Sequence, residues 1–564
     1  MNDNHLNIAQ RLVDMAQQIP DNIAIAQPEF RGKRPLRNPY GKRVYRVVTF
    51  RELDADSDRI AWAMRHNGLK PGMKIALLVR QGIDFITLVF ALYKAGAVLI
   101  LIDPGMGLKG MLRCLKEAEP DGFVAIPAAM AVRLWYRRWF PKAKFFLTVG
   151  RRWGWSGMTL KQAREETSSE PLCHPTAPDD PAAIIFTSGS TGVAKGVLYT
   201  HRIFDTQVSQ IAARLQIKPG EIDLAGFPFF GLFNAAHGTT AVLPDMDPTR
   251  PAQINPELFL EAARDWKVTQ SFGSPALWNR VTDYCLAHNI RIATLKRAIS
   301  AGAPIQFSLL EKMKKCIHPE GEIYTPYGAT EALPVAVISA TEVLTETRPK
   351  TEAGAGICVG KKFPTLRWKV ITITDDPLDW DELEVCLPGT VGELLVSGPQ
   401  VTRRYVTRID ANALAKIVDQ SGTVWHRMGD VGYLDDQDRF WFCGRKAHRV
   451  VSEQGSFFSI PCESVTNRSP KVRRSALAGI PLPGARQTNL RIPVMIVEPK
   501  PEYCPKNASE KEFFLLEMRV LLKNAALTRE INHVLIHPNF PVDVRHNAKI
   551  NREKLSEWAA TQIH

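Results

Sequence analysis

The chain has 564 residues, of which 45% are hydrophobic and 23% are charged, and its formal net charge is +14. This length exceeds what one hydrophobic core usually organises, and this composition excludes a disordered chain, so we expect a large folded domain and at least one smaller one. The positive charge favours anionic ligands or surfaces without naming one.

The cysteines and the N-terminus indicate a cellular compartment. The nine cysteines are scattered without a Cys-x-x-Cys pair, which is typical of reduced thiols. Residues 1–20 lack a basic opening followed by an apolar run, so no secretory signal is expected. We therefore expect a cytoplasmic protein.

From the N-terminus to about Asp430, strand-like apolar runs alternate with helical patterns, which predicts parallel sheets covered by helices. One stretch, from Phe85 to Ile102, is apolar and about long enough to span a membrane. It contains Lys94 and is followed by Asp103-Pro104-Gly105, and these signals favour a buried helix that leads into a buried strand.

The segment from Arg133 to Arg152 is rich in both cations and aromatic residues. Three interpretations stay open: a solvated face whose arginine stems cover half-buried rings, a docking surface for a lipid membrane or an acidic partner protein, and a nucleic-acid surface. We expect no nucleic acid. The residues concerned are Arg137, Arg138, Lys142, Lys144 and Arg151, with Trp135, Tyr136, Trp139, Phe140, Trp153 and Trp155.

The strongest local motif is IIFTSGSTGVAKGVLYTH. The apolar run from Ala183 to Phe186 predicts a strand, and the hydroxyl-rich glycine loop that follows it suits a phosphate chain, because glycines let backbone N–H groups approach phosphate oxygens. Lys195 adds positive charge. The motif is not the usual P-loop, since Lys195 is followed by glycine and not by serine or threonine. The residues of the loop are Thr187, Ser188, Gly189, Ser190, Thr191 and Gly192.

This loop resembles the phosphate loop of the adenylate-forming superfamily of acyl-CoA synthetases, peptide-synthetase adenylation domains and luciferases, and further motifs follow in the order of that family. IYTPYGATEA resembles the segment in which Tyr327, followed by Gly328 and Ala329, packs on adenine. The resemblance implies that Thr330 contacts the α-phosphate and that Glu331 holds Mg²⁺, a hard cation that prefers carboxylate and phosphate oxygens.

Three more blocks extend the resemblance. SAGAPI, which includes Gly302, Ala303 and Pro304, resembles the turn beside the adenine. WHRMGDVGYLDDQDRFWFCGR resembles the block whose aspartate bonds the ribose hydroxyls and whose arginine contacts ribose or phosphate, here Asp430 and Arg445. Near the C-terminus, Lys549 matches the adenylation lysine, which bridges the substrate carboxylate and the α-phosphate.

The resemblance spans roughly residues 10–560 and implies an α/β fold. We expect an N-terminal AMP-binding domain over 1–445, with stacked α/β subdomains and a β-barrel-like subdomain, and a small mobile α+β lid domain over 446–564, with Lys446 as the hinge. ATP and Mg²⁺ are the expected cofactors.

Departures from the family pattern bear on the second half-reaction. In GRKAHRVVSEQGSFFSIPCE, Ala447 stands where coenzyme A ligases keep an aspartate, and Ser452 stands where they keep a lysine. Together with the ending PVDVRHNAKINREKL, this segment resembles the β-lactone synthetases of bacterial long-chain olefin biosynthesis. That family activates a long-chain 2-alkyl-3-hydroxy acid as acyl-AMP and closes it to a β-lactone, and it implies association with other enzymes of the pathway.

Two features leave roles open. The segment GFPFFGLFNAAHG suits either a lipid pocket, with Phe229, Phe230 and Phe233 as pocket residues, or core packing. His201 and His237 are candidate bases for ring closure, and a structural or substrate-lining role is the alternative for each. The alternative functions are a long-chain acyl-CoA or acyl-AMP ligase and, from a different class, a basic protein that binds lipid surfaces or nucleic acid.

Overall fold

The computed structural model describes residues 5–32, 34–168, 170–187, 193–226, 230–482, 489–542 and 550–563. Its strands are β1 (Ile23–Pro28), β2 (Phe30–Arg31), β3 (Arg34–Pro35), β4 (Tyr45–Thr49), β5 (Lys74–Leu78), β6 (Val98–Leu101), β7 (Gly122–Ala125), β8 (Phe145–Thr148), β9 (Met158–Thr159), β10 (Pro181–Phe186), β11 (Gly196–Thr200), β12 (Ile222–Ala225), β13 (Thr240–Val242), β14 (Gln270–Gly273), β15 (Arg297–Ser300), β16 (Glu322–Ala329), β17 (Ala332–Ser339), β18 (Ile357–Lys362), β19 (Arg367–Ile371), β20 (Gly392–Ser397), β21 (Lys416–Val418), β22 (Val424–Leu434), β23 (Arg439–Arg445), β24 (Val450–Ser452), β25 (Gly455–Phe457), β26 (Val472–Pro481), β27 (Arg491–Pro499) and β28 (His533–Ile536).

The helices lie between these strands. They are α1 (Gln10–Gln18), α2 (Phe50–His66), α3 (Ile83–Lys94), α4 (Gly107–Ala118), α5 (Pro127–Trp135), α6 (Leu160–Ala163), α7 (His201–Leu215), α8 (Phe230–His237), α9 (Pro256–Asp265), α10 (Pro275–Ala287), α11 (Phe307–Cys316), α12 (Ala340–Glu342), α13 (Arg348–Glu352), α14 (Ala411–Ala415), α15 (Ser459–Asn467), α16 (Ala508–Lys523) and α17 (Arg552–Ile563). Short 3-10 turns and one π-turn (Val343–Thr347) connect some of them.

Two sheets dominate the first 445 residues. The smaller has the strand order β11-β10-β6-β5-β7-β8-β9 and is parallel except at the β10–β11 pair. The larger runs from β4 through the parallel strands β1, β13, β12, β14, β15 and β16 into the antiparallel strands β17, β18, β23, β22, β20 and β19. The predicted α/β class is confirmed, and the part predicted as barrel-like consists of these antiparallel strands.

The apolar stretch from Phe85 to Ile102 forms the buried helix α3 and the parallel strand β6, as predicted. The side chain of Lys94 is fully buried, and its Nζ lies 2.6 Å from both Asp54 Oδ1 and Asp58 Oδ1 on α2. Two carboxylates therefore compensate the buried ammonium. Among the residues that the structure describes, no helix has the length and apolar character needed to cross a bilayer.

After Arg445 the chain forms separate small sheets. The hairpin β24–β25 is followed by α15, and then β26, β27 and β28 form a three-stranded sheet packed with α15, α16 and α17. Lys446 begins the 3-10 turn Lys446–His448 just before this part. The domain boundary at Lys446 and its role as a hinge stay predictions.

Candidate active site

A cleft of about 3710 Å³ opens at the carboxyl ends of parallel strands in both sheets, including β5, β6, β10, β14 and β15. Ligands of α/β proteins usually bind at this edge, because the loops there are free to vary while the strands hold them in place. Residues of the C-terminal part, among them Val542, Ile550 and Arg552, line the same cleft.

Asp430 and Arg445 meet because they face each other across the β22–β23 hairpin, whose turn contains Asp436, Gln437 and Asp438. The hydroxyl of Tyr327 donates to Asp430 Oδ2 at 2.5 Å, and Arg445 Nη1 lies 3.0 Å from Asp430 Oδ1 as an ion pair. Burial raises the pKa of Asp430, against the lowering effect of the Arg445 charge. Asp430 Oδ1 is buried and accepts no hydrogen bond in the described structure, so it is an acceptor that a ligand hydroxyl would satisfy.

The ring of Tyr327 is placed to contact a flat ligand. It lines the cleft, and Phe440 and Phe442 pack against it with ring centroids at 6.0 and 6.2 Å. The turn predicted to lie beside the adenine follows β15 and lines the same cleft, as do Gly328 and Ala329. In that turn, Gly302 has a φ of +96°, which favours glycine.

The backbone of Thr330 and Glu331 is fixed from two sides of the turn between β16 and β17. Tyr199 donates its hydroxyl to the Thr330 carbonyl at 2.7 Å. Thr402 donates both its backbone N–H and its hydroxyl to the Glu331 carbonyl, each at 2.9 Å. Both residues of the predicted Thr-Glu pair therefore enter the cleft from a rigid turn.

Tyr405 orients the side chain of Glu331, and sequence analysis missed it. Its hydroxyl donates to Glu331 Oε1 at 2.7 Å, which leaves Oε2 for another ligand. Lys195 Nζ lies 4.9 Å from the centroid of the Tyr405 ring, and Lys416 Nζ lies 5.7 Å from it. Burial lowers the pKa of Lys416 to about 7, and the nearby Glu331 charge opposes that shift.

We expect Tyr405→Phe to raise the Mg²⁺ concentration needed for half-maximal activity by roughly 10- to 100-fold, because one hydrogen bond to a charged metal ligand is lost. Titration of AMP formation with Mg²⁺ measures this. Tyr433→Phe is the matched control, since the Tyr433 ring stacks on Trp441 away from Glu331. Equal Mg²⁺ requirements in the wild type and Tyr405→Phe would mean that Tyr405 does not orient a metal ligand.

The phosphate loop is described only at its two ends. Thr187 and Lys195 close it, with Thr187 N donating to Lys195 O at 3.0 Å and Lys195 N donating to Thr187 Oγ1 at 3.1 Å. The predicted site residues Ser188, Gly189, Ser190, Thr191, Gly192, Phe229 and Lys549 lie outside the described residues, and for Phe230 only the backbone is described. Phe233 lines the cleft.

The two candidate bases lie in packed surroundings, not among the residues that line the cleft. His237 Nε2 donates to the Val208 carbonyl at 2.9 Å, and burial lowers the His237 pKa to about 4. His201 Nδ1 accepts from the backbone N–H of Ile8 at 3.2 Å, and burial lowers its pKa to about 4 as well. This geometry favours the structural role for each, and the catalytic role of His237 stays a prediction.

Lys446 is bonded to the strands that precede it. Its Nζ lies 3.1 Å from Glu393 Oε2 and 2.9 Å from the Thr374 carbonyl, and Glu393 also pairs with the buried Arg427 at 2.7 Å.

Within the described residues no group of three or more metal-binding side chains occurs. The role of Glu331, which lines the cleft, as a metal ligand stays a prediction.

The sequence profile of the AMP-binding enzyme family matches residues 15–406. The chain belongs to the AMP-binding enzyme family. The superfamily predicted from the five motifs is therefore confirmed.

Two relatives resemble this AMP-binding enzyme over nearly its whole length. The olefin beta-lactone synthetases of Stenotrophomonas maltophilia and of Xanthomonas campestris pv. campestris are each 43% identical to it, covering 99% of this chain and 98% of the relative. The predicted resemblance to β-lactone synthetases is confirmed. Among solved structures, the O-succinylbenzoate coenzyme A synthetase of Bacillus subtilis in complex with ATP and magnesium has a TM-score of 0.71 at 20% identity, covering 97% of this chain and 98% of that one. At that identity the likeness concerns the fold.

Proposed function

We propose that this AMP-binding enzyme is an ATP-dependent β-lactone synthetase that acts on a long-chain 2-alkyl-3-hydroxy acid. The observation that carries the proposal is the 43% identity, over 99% of the chain, to two olefin beta-lactone synthetases. The described part of the cleft fits the nucleotide that such a reaction needs, because the buried, unsatisfied Asp430 Oδ1 suits a ribose hydroxyl and Tyr327 suits an adenine face.

In the first step the substrate carboxylate attacks the α-phosphorus of ATP, an acyl–phosphate bond forms, and pyrophosphate leaves. Asp430 and Arg445 hold the ribose, while Lys195 and the glycine loop hold the phosphates. Lys549 stabilises the negative charge that develops on the α-phosphate. Glu331, oriented by Tyr405, would hold Mg²⁺, which neutralises phosphate charge when bound.

In the second step the β-hydroxyl oxygen of the acyl-AMP attacks its own carbonyl carbon. The hydroxyl proton passes to solvent, the bond from the carbonyl carbon to the AMP oxygen breaks, and the β-lactone and AMP leave. An intramolecular nucleophile avoids the entropic cost of a second substrate, which at ideal geometry is worth roughly 7–11 kcal/mol, and the strain of the four-membered ring offsets part of it.

In this chain, the loop that carries a lysine in coenzyme A ligases supports a reaction that does not use the coenzyme A thiol. Ser452, which stands at that position, donates its hydroxyl to the Gly455 carbonyl at 3.1 Å and accepts from Gln454 N at 3.1 Å. These bonds lie within the β24–β25 hairpin. Ser452 therefore stabilises its own turn and brings no positive charge to a thiol or phosphate.

The test is to incubate the full chain with ATP, Mg²⁺ and a long-chain 2-alkyl-3-hydroxy acid, with and without coenzyme A, and to identify products by mass. We expect β-lactone and AMP in equal amounts, independent of coenzyme A. Acyl-CoA formed only when coenzyme A is present would replace this proposal by the acyl-CoA ligase alternative. Tight binding to lipid or nucleic acid without AMP formation would favour a binding protein.

The proposed substrate and product have consequences for partners. Kinship with olefin beta-lactone synthetases suggests association with the other enzymes of that pathway, which supply the hydroxy acid and consume the lactone. A long-chain acid partitions strongly into membranes, since each buried CH₂ contributes about 0.8 kcal/mol. The enzyme therefore has to take its substrate from a lipid surface or directly from another protein.

A further inference from the structure

The segment between Arg133 and Arg152 places large apolar side chains in solvent on one face of the protein. Trp135 is 85% exposed and Trp153 is 61% exposed, with Leu134 and Trp139 also exposed beside them. Monomeric proteins rarely leave such rings in water at one place without a use for them. We name Leu134, Trp135, Arg137, Arg138, Trp139, Arg151 and Trp153 the aromatic–basic patch.

Arg133, Phe140 and Trp155 of this segment are buried and do not belong to the patch. Arg133 is buried, and its guanidinium lies 3.8 Å from the centroid of the Phe146 ring, so it supports the patch from beneath. Trp155 is also buried and donates its indole N–H to Thr148 Oγ1 at 2.9 Å. The remaining rings and cations are therefore carried on a rigid base.

The cations of the patch are free to pair with an external anion. Arg137, Arg138 and Arg151 are exposed and have no ion-pair partner in the described part of the chain. The nearest pair involves Lys142, which bonds Glu119 at 2.8 Å. The excess of positive charge suits a surface of negative charge.

Helix α5 connects the patch to the cleft. Its residue Ala129, like Ile126 just before it, lines the cleft, while Leu134 and Trp135 end the same helix at the patch. Trp135 lies six positions after Ala129, which corresponds to about 9 Å along the helix axis. A lipid that leaves a membrane at the patch would therefore have a short way to the cleft.

We propose that the aromatic–basic patch docks this enzyme on an anionic lipid membrane, an inference that rests on the proposed function for the lipid nature of the substrate. Tryptophan favours the membrane interface, and arginine beside it binds anionic headgroups. Leu134 and Trp135 at the end of a helix fit shallow insertion among acyl chains. The formal net charge of +14 also favours binding to an anionic surface.

Flotation of the full chain with vesicles tests the proposal. We expect binding to phosphatidylcholine vesicles that contain phosphatidylglycerol, weaker binding to phosphatidylcholine alone, and loss of binding as salt rises. Arg137→Glu/Arg138→Glu should lower the partition coefficient about tenfold or more on anionic vesicles. Trp135→Ser should lower it on both kinds of vesicle.

The matched control is Arg264→Glu/Arg519→Glu, which makes the same charge change at two exposed arginines on α9 and α16, outside the patch. Its partition coefficient should stay within about twofold of the wild type, because membrane attraction acts within a Debye length. Equal binding of wild type and both patch variants would overturn the proposal, as would binding of duplex DNA through Arg137 and Arg138 with no binding of vesicles.

Turnover in detergent separates this inference from the proposed function. Patch variants should convert detergent-dispersed hydroxy acid at the wild-type rate and vesicle-bound hydroxy acid more slowly. If the wild type binds anionic vesicles through the patch but forms no lactone, the proposed substrate is contradicted and docking on a lipid surface is still supported. Slower turnover of the patch variants in detergent as well would point to damage to the cleft and count against a docking role.

Discussion

Lys549→Ala is expected to lower the rate of AMP formation by roughly 10²–10³, the loss found when one transition-state donor is removed. The substrate carboxylate and the α-phosphate both carry negative charge, and an ammonium between them lowers the energy of their approach. Val542 and Ile550, on either side of its segment, pair with each other and line the cleft. Release of pyrophosphate, followed with the hydroxy acid and ATP in excess, measures the effect.

Two comparisons make the Lys549 experiment specific. Lys511→Ala removes an exposed lysine from α16 in the same C-terminal part, and it should leave the rate unchanged. Ring closure from synthetic acyl-AMP should also proceed at close to the wild-type rate in Lys549→Ala, because the acyl–phosphate anhydride bond has already formed. Unchanged pyrophosphate release would remove Lys549 from the site, and equal slowing of both half-reactions would indicate a general structural defect.

The elements that the sequence predicts well are those whose signals are local. The helix and strand within the stretch from Phe85 to Ile102 follow from apolar composition, one lysine and a Pro-Gly breaker, all within a short window. The hairpin that pairs Asp430 with Arg445 follows in the same way from the turn residues between two apolar runs. Because that hairpin sets the register, it also explains why the two residues meet.

Contacts between distant parts of the chain left no such signal. Tyr405 bonds Glu331 across 74 positions of sequence, and neither periodicity nor turn chemistry in its own segment indicates a partner so far away. The sequence around Lys416 is typical of a surface lysine, yet burial lowers the pKa of Lys416 to about 7. The burial of Arg133 likewise has no signal in the sequence, because sequence spacing does not reveal which face of α5 packs on Phe146.

These long-range contacts explain why the motif residues act together. Asp430 and Glu331 are carried by different strand pairs of one sheet, and each is oriented by a tyrosine hydroxyl, from Tyr327 and Tyr405. Each tyrosine bonds one carboxylate oxygen, and a ligand can bond the other, which in Asp430 also pairs with Arg445. Under the proposed function, this arrangement directs one carboxylate at a ribose and the other at a cation.

Asp430→Asn is expected to raise the KM for ATP by about 10- to 100-fold with a smaller change in kcat. Asparagine retains the size of aspartate and still accepts from Tyr327, but the atom that replaces Oδ1 is an NH₂ group that cannot accept a ribose hydroxyl. A hydrogen bond to a charged group contributes about 1.5–3 kcal/mol, which corresponds to this range. Asp436→Asn, at an exposed position in the turn of the same hairpin, is the control.

Comparison of ATP with 2′-deoxy-ATP shows whether the lost contact is the ribose. The wild type should discriminate against the deoxynucleotide, and Asp430→Asn should largely lose that discrimination. The variant lacks the acceptor of one hydrogen bond, and the analogue lacks the hydroxyl that donates it. Discrimination that persists in full in Asp430→Asn would mean that the carboxylate acts elsewhere. In that case the unsatisfied Oδ1 would be a feature of the Asp430–Arg445 pair and not a ribose acceptor.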